Sequence, residues 1–375
     1  VFGVLTIVAI YKFCCQLLGK KTAVLASLLM ATSQFHIYYS QELRMYSLLC
    51  LLSSLSMWFF YTKKWLLYIP VGILGLYTNY VFALIVISQF VYLVIFTPKD
   101  WHLLKKWLMS CLVIIISFVP WLPIFLQQLE TSRNVIALLP DWTKLSTLPI
   151  WRLIPQIFLK FTLGRISFYN KYFYGSIFIA LVLFYFYIFR SLRHNINMKI
   201  IFILSWLLSP LLLGILISLF LPIATVWRLI FLLPPFLILV SYTLFKNKYS
   251  HVLICLILLV NLCANVLYWI NPKYQRENWR NGINYMEQKD IPVVFAVENG
   301  FAPYQWYKKK DKVVCGPDTI EKCLSKKEIF YISYLQDIFD RNRTLEDQIK
   351  KNNYRLSDTK NFEGVGFIYY YENSN

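Results

Sequence analysis

The chain has 375 residues, of which 58% are hydrophobic and only 15% charged, with a mean hydropathy of +0.52. A soluble domain carries about 25% charged residues, so a soluble globular protein is excluded and a multi-span membrane protein remains. The net charge of +19 does not point to nucleic acid, because residues 1–270 hold 21 basic and 4 acidic residues against 17 and 15 from 271 onward. An excess confined to the connections of a hydrophobic segment sets membrane topology and meets anionic lipid.

Apolar runs predict about ten spans, near 2–18, 22–38, 46–61, 65–79, 80–97, 107–126, 173–190, 199–220, 227–245 and 251–270. Two are short and need neighbours or a thin local bilayer. Basic residues recur at every second connection: Lys20-Lys21, Lys63-Lys64, Lys99 to Lys106, Arg190 to Lys199 and Lys246 to Lys248. The positive-inside rule makes that set cytoplasmic. The stretches 38–47, 78–80, 127–172 and 221–227, and the tail, then lie outside. Val1 also lies outside under this topology, and the chain opens in an apolar run with no initiator Met and no signal-peptide pattern. The expectation is that an earlier span precedes it.

The stretch Tyr38–Ser47, YYSQELRMYS, holds a carboxylate and a guanidinium between two apolar runs. Charge at a helix centre in the bilayer costs roughly 2.5–3.5 kcal/mol per group, so this stretch belongs at a membrane surface where two spans meet. In a continuous helix Tyr38, Glu42 and Tyr46 share a face at i, i+4 spacing and Arg44 points away; a Glu42–Arg44 ion pair then requires the chain to turn. Among residues 1–270 the acids are Glu42, Asp100, Glu130 and Asp141, and Asp100 falls in a cytoplasmic connection. Glu42 is the outer acid held closest to the membrane. The functional reading places Arg44 on a lipid phosphate and Glu42 on a sugar hydroxyl, a base or a divalent metal. The ordinary alternative has Arg44 reaching headgroups and Glu42 in water.

Further along, Thr78-Asn79-Tyr80 forms the next outer turn, and Pro120-Trp121-Leu122-Pro123 is read as the end of the sixth span. The loop 127–172 mixes Trp, Tyr and Phe with Arg and Lys, which suits short interfacial helices as well as an ordinary capping loop. Arg228 is a second outer cation, and a phosphate between Arg44 and Arg228 would be well recognised. From residue 271 the pattern changes. Glu277–Gln288 reads as an amphipathic helix with Trp279, Ile283 and Met286 on one side. Segments 292–297, 313–315, 329–333 and 366–371 read as strands and Thr344–Lys351 as a helix, together a small α/β domain. Cys315 and Cys323, with seven residues between them, are compatible with a disulfide in an oxidising compartment. No Cys/His spacing fits zinc, and Gly364-Val365-Gly366 is not a nucleotide fingerprint. A nucleotide-sugar donor has no visible cradle, whereas a lipid-linked donor fits an outer site.

At Tyr38–Ser47 the sequence resembles glycosyltransferase family 39. These are bacterial relatives of protein O-mannosyltransferases and aminoarabinose transferases with the GT-C membrane fold. The resemblance continues in order through Thr78-Asn79-Tyr80, Pro120-Trp121-Leu122, Trp227-Arg228 to Pro234, and Glu277 to Arg280. It implies an all-α polytopic GT-C domain over 1–270 and an extracytoplasmic α/β domain over 271–375. It also implies a transferase that takes a sugar from a polyprenyl-phosphate donor to a glycan, lipid or protein acceptor at the outer face of the plasma membrane. The family's catalytic aspartate sits in a first outer loop, which by this reading precedes Val1. Glu42 is then carried over as a pocket carboxylate and candidate catalytic group, with the main base expected in that preceding loop. Tyr39, Gln41, Arg44, Tyr46, Asn79, Tyr80 and Arg228 are carried over as substrate-binding residues. No cofactor is certain, and a divalent metal is compatible. The rival class is a transporter or flippase, but neither a midplane acid nor paired repeats support it.

Overall fold

Every predicted span falls on a helix, but the helices differ in kind. The computed structural model describes residues 1–138, 149–168, 170–219, 223–297 and 301–374. Contacts divide it into two compact units, Val1–Tyr268 and Trp269–Asn375.

The first unit contains α1 (Phe2–Leu18), α2 (Lys20–Thr32), α3 (Gln34–Ser40), α4 (Tyr46–Tyr61), α5 (Trp65–Thr78), α6 (Ala83–Phe96), α7 (Trp101–Phe118) and α8 (Leu122–Leu138). It continues with α9 (Ile150–Leu163), α10 (Lys171–Phe189), α11 (Met198–Ser218), α12 (Leu233–Phe245) and α13 (Ser250–Ile270). Among the described residues four helices are long and apolar enough to cross a membrane: Trp101–Asn134, Lys171–Arg193, Met198–Ser218 and Ser250–Ile270. Five more apolar helices have 10–17 residues.

Three spans depart from expectation. The span read as 22–38 is broken at Ser33, whose extended backbone separates α2 from α3. Its hydroxyl accepts from His36 N at 3.4 Å and caps the new helix. The span read as 107–126 does not end at its prolines. Pro120 lies in a single 3-10 turn, Val119–Trp121, and Pro123 sits in the first turn of α8, so the helical path runs on to Leu138. Proline at a helix start forgoes an N–H that is unpaired there anyway, which is why the chain tightens instead of stopping. The span read as 227–245 opens with a 3-10 turn, Ile230–Leu232, before α12. The loop 127–172 contains the rest of α8 and α9; Pro155 lies inside α9, and Pro140 and Asp141 lie outside the described residues.

One buried amide braces α4 to α7. Gln89 Oε1 accepts from Tyr68 Oη at 2.6 Å and from Trp107 Nε1 at 3.3 Å, while its Nε2 donates to Ser56 Oγ at 3.0 Å. Satisfied on both sides, the amide gains interhelical bonds where water is absent.

The second unit is an α/β domain. It contains α14 (Trp279–Met286), β1 (Val293–Phe295), α15 (Ala302–Tyr307), β2 (Val314–Cys315), α16 (Ile320–Leu324) and β3 (Glu328–Ile332). Then follow α17 (Gln336–Phe339), α18 (Thr344–Lys351), β4 (Tyr354–Phe362) and β5 (Gly366–Asn373). The sheet order is β2-β1-β3-β5-β4, with β1 parallel to β2 and β3, and β5 antiparallel to β3 and β4. Trp279, Ile283 and Met286 are buried on α14 against one sheet face, as the amphipathic pattern predicts. Leu345 and Ile349 of α18 cover the other face. Cys315 and Cys323 are joined by a disulfide with Cα atoms 6.3 Å apart. Strand β4 was not anticipated: as an edge strand with mostly exposed residues, it carries no apolar alternation.

Candidate functional site

The stretch Tyr38–Ser47 is not one helix. Helix α3 ends at Ser40, residues 41–45 bend, and α4 starts at Tyr46. Because the chain turns, the expected separation of the two charges does not hold. Arg44 Nε lies 3.3 Å from Glu42 Oε1, with side-chain exposures of 63% and 19%. The bend throws Leu43 fully outward and turns Glu42 inward, where Oε2 is buried.

Around this bend the tyrosines pack edge to face: Tyr38 with Tyr39 at 5.1 Å, Tyr39 with Tyr46 at 5.3 Å, and Tyr38 with Tyr268 at 6.0 Å between centroids. Tyr268 Oη of α13 donates to Gln41 Oε1 at 3.1 Å. Higher on α13, Asn261 Nδ2 donates to Thr32 Oγ1 at 3.0 Å and Asn265 Nδ2 to Thr32 O at 2.8 Å. Residues i, i+4 and i+7 share a helix face, so one face of α13 holds both ends of α3.

A cation that sequence reasoning missed completes the group. Arg165 follows α9 and lies with its guanidinium 4.7 Å from the Tyr38 ring centre. It also hydrogen-bonds the Tyr39 side chain, which feels the Glu42 charge as well. Its backbone N–H donates to Gln34 Oε1 at 2.5 Å. That docking requires Gly164: its φ is +65°, and a Cβ there would stand 1.6 Å from Gln34 Oε1. Lys160 Nζ donates to Arg165 O at 3.5 Å. Burial, and then the neighbouring Arg165 charge, lower its pKa to about 8. The only signal in the sequence was the Gly164-Arg165 pair, 131 residues from its partner Gln34.

Four polar atoms within residues 34–42 are buried with no hydrogen-bond partner among the described residues: Gln34 Nε2, His36 Nε2, Ser40 Oγ and Glu42 Oε2. Such atoms are rare in native interiors and call for explanation. Helix α1 closes on this side, since a Cβ at Gly3 would meet Ser40 Oγ at 2.2 Å. Among the described residues no three His, Cys, Asp or Glu side chains group as a metal site.

The other predicted residues have partners of their own. Asn79 Oδ1 accepts from Val81 N at 2.9 Å and caps a 3-10 turn. Tyr80 Oη donates to Gln128 Oε1 at 2.7 Å and accepts from Trp121 Nε1 at 2.9 Å. The two Tyr80 bonds tie the α5–α6 turn to α8 and to the 3-10 turn before it. Arg228 Nη1 donates to Ile223 O at 3.4 Å within its own loop. That loop reaches α4 near its start, where Cys50 Sγ lies 3.9 Å from Ile230 O. Arg228 therefore belongs to the same end of the helix bundle as Arg44.

Comparison with known proteins bears on the fold. Residues 1–124 match the family model described as dolichyl-phosphate-mannose-protein mannosyltransferase. No curated protein matches the chain. Among solved structures, ArnT from Cupriavidus metallidurans in the apo state aligns with a TM-score of 0.59 at 10% identity, covering 98% of this chain and 82% of that one. The same protein bound to undecaprenyl phosphate aligns with a TM-score of 0.58, at the same identity and coverage. The resemblance read from Tyr38–Ser47 is thereby borne out: this multi-pass membrane protein has the fold of a GT-C glycosyltransferase and, over its first third, matches the mannosyltransferase family model.

Proposed function

We propose that the chain transfers a sugar from a polyprenyl-phosphate donor to an acceptor at the outer face of the plasma membrane, with the Trp269–Asn375 domain also outside. The observation that carries this reading is Glu42 Oε2, a buried carboxylate oxygen with no hydrogen-bond partner among the described residues, in a group that also holds Arg44 and Arg165. Glycosyl transfer forms a bond from an acceptor oxygen to the anomeric carbon and breaks the bond to phosphate. The phosphate leaves with the electron pair and the acceptor loses a proton. Arginines meet the first need, since a guanidinium fork matches phosphate oxygens. A carboxylate held out of water meets the second. The family description and the undecaprenyl phosphate of the solved relative support the donor class.

The role assigned to Glu42 is to take or steer the acceptor proton, and Tyr39, Gln41 and Tyr46 line the sugar side. Arg228 serves the same end of the bundle as a further phosphate-side cation. The test is transfer of labelled sugar from a polyprenyl-phosphate donor in membranes carrying the full chain. Glu42→Gln and Arg165→Ala should abolish or strongly reduce it. Unchanged transfer in both variants would remove this group from the reaction.

A further inference from the structure

The C-terminal domain holds a tryptophan in open solvent beside a run of lysines. Trp306, near the end of α15, is 82% exposed, although so large a ring is highly buried on average. Lys308-Lys309-Lys310 follow at once. Lys308 Nζ donates to Asp311 Oδ1 at 2.7 Å. Lys309 and Lys310 are exposed and pair with no carboxylate among the described residues. Lys312 stands apart from this run: its Nζ turns inward and donates to Met286 O at 2.6 Å, at the end of α14.

A second basic segment lies beside the first. Before and into α14 the chain carries Lys273, Arg276 and Arg280 against one acid, Glu277. That carboxylate already accepts from Trp279 Nε1 and Tyr334 Oη, at 3.0 Å each. The Arg280 guanidinium stands 5.7 Å from the Tyr307 ring centre, which holds α15 against the start of α14. This segment follows directly on α13, a helix long and apolar enough to cross a membrane, whose last residues Trp269 and Ile270 are both exposed. Arg280 comes ten residues after Ile270, so at most about 35 Å of chain lies between them.

Charge, aromatic chemistry and size together select the partner. Each Lys or Arg near an anionic bilayer contributes about 1 kcal/mol, and Trp favours the depth of the headgroups. A stable protein interface takes about 20–30 residues a side, several times what α15 and its lysines offer. A bilayer needs no such area, because α13 tethers the domain to it and makes docking an intramolecular event.

We propose that Trp306 and Lys308–Lys310 dock this domain on anionic lipid headgroups at the membrane surface. The docking does not depend on the transfer proposed above. The experiment places the full chain in nanodiscs of phosphatidylcholine alone or mixed with phosphatidylglycerol and follows hydrogen exchange of residues 302–312 by mass spectrometry. Exchange should be at least about fivefold slower in the mixed discs, the factor that one such charge supplies. Lys309→Glu with Lys310→Glu should abolish the difference, and Trp306→Ser should reduce it. Exchange of β3 and β5 should stay at the wild-type rate in each variant, which shows that the domain folds. Equal exchange in the two discs, or a difference that survives either variant, overturns the proposal. Slowing by inorganic pyrophosphate in phosphatidylcholine discs without slowing by phosphatidylglycerol also overturns it, because the ligand would then be a free anion. So does slowing that is equal in both discs and disappears on dilution, because the surface would then join two copies.

Discussion

Asn265 Nδ2 donates to the carbonyl oxygen of Thr32 at 2.8 Å, and that oxygen is free to accept because the helix stops there. In an unbroken helix Thr32 O would receive the N–H of His36. Ser33 takes that N–H with its own hydroxyl, and α13 supplies the replacement donor. Asn265→Leu should therefore cost ~0.6–1.7 kcal/mol of stability, the range for polar contacts between membrane helices. It should also weaken phosphate binding at the bend that α3 carries. Thermal melting and ligand titration of the same variant check the two effects separately, and Asn261→Ala should act in the same direction.

Gly164→Ala should be damaging out of proportion to one methyl group. The new Cβ meets Gln34 Oε1 and the backbone stays at φ +65°, so the turn shifts and takes Arg165 with it. Binding of polyprenyl phosphate should fall about as far as in Arg165→Ala. Gln34→Ala in the same chain removes the contacts with Oε1 and Cδ but keeps its own Cβ 2.8 Å away and leaves the strained φ, so recovery should be partial.

Lys160 gives a pH dependence with a defined sign. Its folded pKa of about 8 lies below the ordinary lysine value of 10.5. The folded chain therefore holds this proton less tightly, and this lysine's contribution to stability rises as pH goes from about 8 towards 10.5. Phosphate binding should move the other way, weakening above pH 8 as a neighbouring positive charge is lost. Lys160→Gln should flatten the binding profile, and titrations between pH 6.5 and 9.5 would show it.

In the C-terminal domain two carboxyls make stability rise with pH as Lys160 does, but in the acid range. The Tyr285 hydroxyl holds Asp358, and the Tyr370 and Ser357 hydroxyls hold Glu372, below their ordinary values. Their contribution is in place at neutral pH and is lost as pH falls through the depressed values. Tyr285→Phe should shift acid unfolding of the domain to higher pH, followed by near-ultraviolet circular dichroism. Reduction of Cys315–Cys323 should cost roughly 2–3 kcal/mol, given the short loop it closes.

How much of this was legible depended on range. The spans were legible because a run of apolar residues needs no partner to be recognised. Helix α14 was legible from helical spacing, and strands β1 and β3 from short apolar runs buried on successive residues. Strand β4 was not, since Ser357 to Asn361 face solvent on an edge. The break at Ser33 left one local sign, a serine able to cap, inside a run that otherwise reads as a single span. The Glu42–Arg44 pair depended on a bend that helical spacing argues against. Arg165 was out of reach for a different reason: its place beside Tyr38 follows from Gly164 docking on Gln34, a contact between segments far apart in sequence.

The most direct measurement is the affinity of undecaprenyl phosphate for the full chain in nanodiscs, by native mass spectrometry, in wild type and in Arg44→Ala, Arg165→Ala and the double variant. The account predicts saturable binding that each single change weakens about tenfold or more, equivalent to about 1.4 kcal/mol, and that the double change abolishes. Equal affinity in wild type and the double variant would contradict it and place the phosphate, and with it the reaction, away from the Tyr38–Tyr46 bend.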